Sequence, residues 1–435
     1  MSRDIPVKAQ VHLEVTPLEA LVDEQVAIRL SGLLPGQTAT LWMRTRDGQE
    51  DVWVSSASFV ADDHGEIDLT TQQPVAGSYH KVDPMGLFWS MQPVEKKQPI
   101  FLLTGDAKPV AMELIAEVEG VAVAAARLKR LFAAEDVVRV QVREQGLVGV
   151  LYHPAGSGPS PAIIILSGSD GRIRERQAAL LASHGFAALT LAYFNAEGLP
   201  KNLVHIPLEY FETAIHWLQA QSVVDGDKIG VIGLSRGGEL ALLLGATFPA
   251  IKAVVACSPS GLVQAGVDGN NYSRSAWTHH GKPLQQAVVK ITPLLWLKLI
   301  WQSIRVRAFP MRDMFLTTLK DRKHLNEATI AVENVQGPIL LISSEDDQMW
   351  PATIFSHLVM KRLAEYHHLY PDQHLSYKDA GHFVSFPYNY PFLPPLVKRI
   401  MGLALGGTVE GAAASSADSW PRILAFFAEN LGVRF

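Results

Sequence analysis

The sequence predicts a β-sandwich domain followed by a doubly wound α/β domain with a mostly parallel sheet. The chain has 435 residues, which is too long for one ordinary hydrophobic core. Up to residue 132, short runs rich in Val, Thr, Ile and Trp are separated by turn residues, as in a sandwich. From residue 133, continuous apolar runs alternate with helical stretches, which is typical of parallel strands buried on both faces. We therefore assign residues 1–132 and 133–435 to two domains.

The expected sandwich strands are divided by clear turn signals. These include Pro35-Gly36, Asp47-Gly48 and His64-Gly65, and glycine and proline are the residues that turns most often need. This part contains no motif with nucleophile chemistry, so we expect it to have a binding or packing role. The strand-like runs are VHLEVTP, QVAIRLSGL, TATLWMRTRDG, DVWVSSASFVADDHG and EIDLTT.

The second domain opens with a predicted hairpin, in which VVRVQVRE and GLVGVLYHP flank Gln145-Gly146. Buried parallel strands are then expected at PAIIILSG, FAALTLAYF, KIGVIGLS, IKAVVACSP and GPILLISS. The stretch IPLEYFETAIHWLQAQ is a predicted helix, because four apolar residues fall on one face. They are Leu208, Phe211, Ile215 and Leu218.

Residues 262–330 interrupt the alternation and are a predicted cap insertion between two sheet strands. Within it, Trp296, Leu297, Ile300 and Trp301 offer an apolar face at helical spacing. Two interpretations stay open. The face binds an apolar part of a substrate, or it belongs to an ordinary buried helix packed on the sheet.

Composition and charge argue against nucleic-acid binding, membrane insertion and secretion. The formal net charge of −5 does not favour nucleic acid or an anionic membrane as the main partner. The most apolar stretch, 284–301, contains Lys290, Pro293 and Lys298, so we predict no integral membrane segment. The single cysteine, Cys257, allows no intramolecular disulfide. The N-terminus MSRDIPVKAQVHLEV has no secretory pattern, and we expect a cytoplasmic protein.

The strongest chemical signal is the pentapeptide Gly233-Leu234-Ser235-Arg236-Gly237. It follows the strand-like KIGVI and precedes the helix-like ELALLLGATF, which is the context of the nucleophile elbow in α/β hydrolases. The tight turn needs small flanking residues and projects the serine from the strand end. Ser235 is therefore the predicted nucleophile, and an ordinary glycine-rich turn is the alternative.

In α/β hydrolases the catalytic acid and then the histidine base follow the nucleophilic serine along the chain, and we expect the same order here. Asp346 and Asp347 follow the strand GPILLISS, and His382 lies in the loop after another expected strand. We predict that His382 is the base, while either aspartate could orient it and the other could cap the next helix. Surface positions are expected for the rival histidines His357, His367, His368 and His374.

The oxyanion hole is expected to use two backbone N–H groups. One comes from the residue after the nucleophile, Arg236, and the other from the loop after PAIIIL, where Ser169 or Asp170 is the candidate. A simple glycine-rich turn is the alternative for that loop.

Several segments resemble the acyl-CoA thioesterases related to bile acid-CoA:amino acid N-acyltransferase. They are SYHKVDPMGLFWSMQP, LAYFNAEGLPKNL, IPLEYFETAIHWL, KIGVIGLSRGGELAL, SSEDDQMWP and YKDAGHFVSFPY. The resemblance implies an N-terminal immunoglobulin-like sandwich with an α/β-hydrolase catalytic domain, and a triad of Ser235, Asp347 and His382. The register of the acid loop favours Asp347 over Asp346. The 262–330 segment is longer than we expect for the animal members, and ENLGVRF at the end carries no recognisable peroxisomal signal, so we do not expect that location.

The first functional hypothesis is therefore hydrolysis of an acyl-CoA thioester to free fatty acid and CoA, without metal or redox cofactor. Acyl transfer to an amino acid is the second. The resemblance links the amino-acid-conjugating member to cysteine at the elbow, whereas this chain has Ser235. A carboxylesterase or dienelactone-type hydrolase is the third, although the sandwich domain weighs against it. A non-catalytic binding protein is the fourth.

Overall fold

The structure is a computed structural model, and it describes residues 11–95, 101, 106–156, 158–268, 273–306, 308–384, 396–397 and 402–433. Along the main run of the chain, one compact unit ends at Leu131 and a second begins at Phe132.

The first unit is an all-β structure with two sheets that are mostly antiparallel. One sheet has the order β1-β3-β6, and the other has the order β2-β10-β9-β4-β5-β7, with β8 paired to β5. A short helix, α1, covers Gly86–Trp89. The strands are β1 His12–Thr16, β2 Glu19–Leu21, β3 Ala27–Ser31, β4 Thr38–Arg46, β5 Val52–Val60, β6 Ile67–Asp68, β7 Ala76–Gly77, β8 Gln92–Pro93, β9 Val110–Val118 and β10 Val121–Leu131.

The predicted runs in this unit form strands, whereas the long strands β9 and β10 and the short strands β2, β7 and β8 have no counterpart among the predictions. The alanine-rich sequence of β10 has little intrinsic strand propensity. It forms a strand because it pairs along its length with β9. Glu119 and Gly120 make the turn between them, with φ values of 52° and 75°, which suits a tight hairpin.

The second unit contains an eight-stranded sheet with the order β11-β12-β14-β13-β16-β17-β20-β21. Strand β12 is antiparallel to both of its neighbours, and the pairs from β14 to β21 are parallel. The predicted α/β-hydrolase fold is confirmed. The strands are β11 Val137–Val142, β12 Val148–Pro154, β13 Ser160–Leu166, β14 Ala187–Ala192, β16 Val224–Leu234, β17 Ile251–Cys257, β20 Ile339–Ser344 and β21 Gln373–Tyr377.

Five helices pack against this sheet, and their apolar faces supply much of its core. The four residues that predicted one helical face are all buried, so burial of this face accounts for the helix at that place. The helices are α2 Glu175–Ser183, α3 Leu208–Gln219, α4 Arg236–Thr247, α8 Ala352–Glu365 and α9 Val409–Leu431. None of the helices among the described residues is both long and apolar enough to cross a membrane.

The segment after β17 adds small elements before the chain returns to the sheet at β20. Helix α5 exposes Trp296, Leu297, Ile300 and Trp301 to solvent. The interpretation of these residues as a buried helix face packed on the sheet is therefore wrong. The remaining elements of the unit are β15 Ile206–Pro207, β18 Trp277–His279, β19 Lys282–Pro283, α5 Pro293–Val306, α6 Arg312–Leu316, α7 Arg322–Ala328, β22 Leu396–Val397 and β23 Leu403–Ala404.

Candidate active site

Four loops that carry the predicted site residues leave the same edge of the sheet. They follow β13, β16, β20 and β21, which run parallel to one another. Carboxyl ends of parallel strands meet at one edge, where ligand sites of open α/β sheets lie. Residues far apart in sequence can therefore share one site here.

Ser235 occupies a strained turn between β16 and α4. Its φ of 58° and ψ of −118° are unfavourable for a residue with a side chain. The Ser235 N–H donates to the carbonyl of Cys257 on the neighbouring strand at 2.9 Å. A Cβ at Gly233 would collide with Gly237, and a Cβ at Gly237 would collide with the carbonyl of Ser167. The two flanking positions therefore require glycine, which is the physical basis of the pentapeptide.

His382 connects the candidate nucleophile to a carboxylate. Its Nε2 lies 2.9 Å from Ser235 Oγ, and its Nδ1 lies 2.8 Å from Asp347 Oδ2. An ionised carboxylate only accepts hydrogen bonds, so Nδ1 carries the proton, and in the neutral ring Nε2 is then the acceptor. The arrangement can accept the proton of the Ser235 hydroxyl.

Asp347 and Asp346 have different surroundings. Asp347 is buried, and its Oδ1 accepts the N–H groups of Met349 and Trp350 at 2.8 and 3.2 Å. Its second oxygen is left for the imidazole. Asp346 instead accepts from the Gly407 N–H at 2.7 Å and from the side chain of Gln348. The structure brings Asp347 to His382 and does not bring Asp346 there. The side chain of Asp346 does not cap α8.

The backbone of His382 is fixed on both sides. Its N–H donates to the Leu405 carbonyl at 3.0 Å, and its carbonyl accepts from Ser258 Oγ at 2.7 Å. Trp350 packs edge-on to the imidazole, with ring centroids 6.0 Å apart. These contacts limit the motion of the ring between Ser235 and Asp347.

Two of the rival histidines have structural roles that the sequence did not indicate. His368 bonds to Asp372 at 2.6 Å and to the Val335 carbonyl at 2.9 Å, and its side chain is buried. His374 bonds to Ser343 Oγ at 2.8 Å, and burial lowers its pKa to about 4. The predicted surface position is wrong for His368, and His374 is half-buried.

The loop after β13 lies against the nucleophile. A Cβ at Gly168 would stand 3.6 Å from the Cβ of Ser235. The Tyr193 hydroxyl donates to the Ser167 carbonyl at 2.5 Å and so holds the loop in place. The backbone of this loop therefore lies next to the Ser235 side chain.

The three predicted oxyanion donors have different settings. Ser169 and Asp170 lie in an exposed turn of that loop, and the Asp170 carboxylate pairs with Arg174 at 2.7 Å. Arg236 is the first residue of α4, where an N–H has no acceptor within the helix. Among the described residues, none of the three N–H groups donates to another part of the protein. All three are therefore available to a ligand.

A buried ion pair lies directly behind the nucleophile. Glu239 accepts from Arg236 Nη1 at 2.7 Å, from the Gln264 N–H at 3.1 Å and from Trp277 Nε1 at 2.8 Å. Burial raises the pKa of Glu239 to about 7, and the Arg236 guanidinium opposes that rise. Gln264 and Trp277 belong to the segment after β17, so this carboxylate connects that segment to the nucleophile helix. The sequence analysis did not identify Glu239, although a glutamate within so apolar a helix could have indicated a buried, paired carboxylate.

We expect Glu239→Gln to lower the free energy of unfolding by about 3–5 kcal/mol, because it leaves the Arg236 charge buried without a counterion. Urea unfolding of the two proteins measures the difference. The matched control is Glu365→Gln, which breaks the exposed pair with Lys361 and should cost at most about 1 kcal/mol. Equal losses in the two variants would contradict the role of the buried pair.

A separate group of side chains could hold a metal ion. Ligand atoms of Glu209, His279 and His280 lie within 4.8 Å of one another. No residue of the Ser235, His382 and Asp347 arrangement belongs to this group.

Comparison with known proteins shows matches over both units. The family model described as "BAAT / Acyl-CoA thioester hydrolase C terminal" matches residues 206–433. The model described as "Acyl-CoA thioester hydrolase/BAAT N-terminal region" matches residues 23–144.

Full-length relatives agree with these matches. The chain is 32% identical to the peroxisomal succinyl-coenzyme A thioesterase of Mus musculus, over 94% of each chain. It is 32% identical to acyl-coenzyme A amino acid N-acyltransferase 1 of Mus musculus, over 97% of this chain and 98% of the relative. It is 31% identical to acyl-coenzyme A thioesterase 2, mitochondrial, of Mus musculus, over 94% of this chain and 87% of the relative.

Proposed function

Because the chain belongs to the family of acyl-CoA thioester hydrolases and bile acid-CoA:amino acid N-acyltransferases, we propose that it hydrolyses acyl-CoA through a serine acyl-enzyme. The products are free fatty acid and CoA. The observation that carries the proposal is the hydrogen-bonded series from Ser235 to His382 to Asp347, with distances of 2.9 and 2.8 Å.

In the first half of the reaction, Ser235 Oγ attacks the thioester carbonyl and His382 Nε2 takes the hydroxyl proton. The carbonyl oxygen becomes an oxyanion. The N–H of Arg236 and an N–H of Ser169 or Asp170 would stabilise it. The C–S bond then breaks, and CoA leaves as a thiol with the proton that His382 returns.

In the second half, water attacks the serine ester. His382 takes a proton from that water and returns it to Ser235 Oγ as the ester bond breaks. Asp347 stays ionised throughout and stabilises the imidazolium that forms in each half. Each proton that His382 accepts is returned within the same half-reaction, so the site needs no other co-reactant than water.

Two assays test this proposal together. A fluorophosphonate probe should label Ser235, and absence of labelling would favour the binding-protein hypothesis. A panel of acyl-CoAs and simple esters, with release of CoA measured by a thiol reagent, should show turnover of the thioesters. Turnover of simple esters alone would instead favour the carboxylesterase or dienelactone-type hypothesis.

Transfer of the acyl group to an amino acid is the second candidate, because relatives named as N-acyltransferases match 97% of this chain. It shares the acyl-enzyme and replaces water with an amine. A serine ester is less reactive toward amines than the thioester that a cysteine nucleophile forms. Cys257 cannot supply such a nucleophile, since it is buried and burial raises its pKa to about 12.

With long-chain acyl-CoA and excess glycine or taurine, we therefore expect free acid to be the main product. Mass spectrometry of free acid and amide measures the ratio. Predominant amide would overturn the proposed hydrolysis. Ser235→Cys should move the ratio toward amide if the nucleophile controls the outcome, and should leave it unchanged if access of water does.

The cytoplasm remains the proposed location. Two relatives are named peroxisomal and mitochondrial, so fractionation of cells that express the full chain is the deciding measurement.

A further inference from the structure

Helix α5 presents a row of large apolar side chains to solvent. Leu294, Leu297, Trp301 and Ile304 are 78%, 64%, 58% and 74% exposed. They are spaced three, four and three residues apart, which places them on one face of the helix. Trp296 and Ile300 extend the apolar surface at one side and are also exposed. Single exposed apolar residues are common, but a contiguous row marks an interaction surface.

The helix is held in this orientation by contacts at its opposite face and edges. Leu299 is fully buried. Lys298 pairs with Asp313 at 2.7 Å, and Lys290, just before the helix, pairs with Asp321 at 2.7 Å. The exposed apolar row is therefore part of a fixed arrangement within this segment.

The charge of the surrounding chain is opposite to that of the whole protein. Residues 262–330 contain ten lysines and arginines and only four aspartates and glutamates, whereas the whole chain carries −5. Lys298 and Arg305 are seven residues apart and border the apolar row on one side. The Arg305 guanidinium lies over the Trp301 ring, 5.2 Å from its centroid. Charges are screened beyond about 8 Å at physiological salt, so the local excess decides what binds here.

We propose that α5 docks this protein on the surface of an anionic lipid bilayer. The apolar row enters the boundary between headgroups and acyl chains, and Arg305, beside the row, faces the lipid phosphates. A helix with apolar and tryptophan residues on one face and basic residues beside it has the composition of an interfacial helix. Its 14 residues span about 21 Å, which is shorter than the hydrocarbon core of a bilayer, so it lies along the surface.

The same observations argue against a second copy of the chain as the occupant. Two copies that met through α5 would bring the basic edges of both helices together, and like charges across an interface repel. An anionic lipid surface can bury the apolar row and at the same time pair its phosphates with the basic edge. The net charge of the whole chain predicted no anionic membrane partner because that charge averages over residues far from this helix.

The test is co-sedimentation of the full chain with phosphatidylcholine vesicles that contain or lack phosphatidylserine. We expect binding to the anionic vesicles that weakens as salt is raised. Leu297→Glu should lower the apparent affinity by about tenfold or more, because it replaces an inserting apolar side chain with a charge. The matched control is Leu369→Glu, an equally drastic change at a leucine that is 92% exposed outside α5, which should bind as the wild type does.

Each other result overturns the proposal. Failure of the wild type to bind anionic vesicles, or equal binding by Leu297→Glu at an unchanged melting temperature, removes the lipid assignment. A wild-type dimer that Leu297→Glu dissociates assigns the face to a second copy. A changed acyl-length preference without loss of vesicle binding assigns it to the acyl chain. Ser235→Ala should bind vesicles normally, so failure of the proposed catalysis is distinguishable from failure of docking.

Discussion

Ser235→Ala should lower kcat for acyl-CoA hydrolysis by about 10⁶-fold, as loss of a triad nucleophile does elsewhere. The substitution removes only Oγ, the atom that lies 2.9 Å from His382 Nε2. Because serine and alanine carry the same Cβ, the backbone strain at φ 58° is unchanged by the substitution. The variant should therefore fold normally and lose its chemistry. Initial rates with a chromogenic thiol reagent, together with a melting curve, measure both properties.

Ser222→Ala is the matched control for this substitution. Ser222 is exposed in a turn outside the site, and its loss should leave kcat and the melting temperature unchanged. Near-normal turnover by a folded Ser235→Ala protein would refute the serine mechanism. Loss of turnover together with loss of the fold would be resolved by Ser235→Gly, which also lacks the hydroxyl and adopts a positive φ without strain, so it should retain the fold and still lack turnover.

Asp347→Asn should lower kcat by about 10⁴-fold, far more than Asp346→Asn. The hydrogen bonds predict how the amide would sit. Oδ1 of Asp347 accepts two backbone N–H groups, so the amide oxygen must remain there and the NH₂ group must face His382 Nδ1. That forces the proton to Nε2 and removes the acceptor that Ser235 needs.

Asp346→Asn serves as the matched control, because the two positions adjoin and the chemical change is the same. The Asp346 carboxylate accepts from Gly407 and Gln348, and an amide oxygen can keep one of those bonds. Steady-state kinetics of both variants decide the ranking. The reverse order would reassign the acid to Asp346, and small equal losses would exclude both aspartates.

The sequence was sufficient for the buried parallel strands of the second unit and for the elbow, since both depend on local physics. Continuous apolar runs such as PAIIIL are buried on both faces in parallel strands. The pentapeptide implies its own turn because Gly233 and Gly237 meet backbone atoms that leave no room for a Cβ. Long-range pairing, by contrast, made β10 a strand although its alanines carry little propensity.

What the sequence by itself determined is the fold class, the family and the chemical types of the site residues, because periodicity and tight turns are properties of neighbouring residues. Only the tertiary structure decided which aspartate meets His382, since two adjacent carboxylates differ solely in the direction that the folded loop gives them. It also decided that Glu239 is buried under Arg236 and that the apolar row of α5 faces solvent. A helical apolar pattern predicts that one face is apolar, but only the packing of the folded chain determines whether that face contacts the core or the solvent.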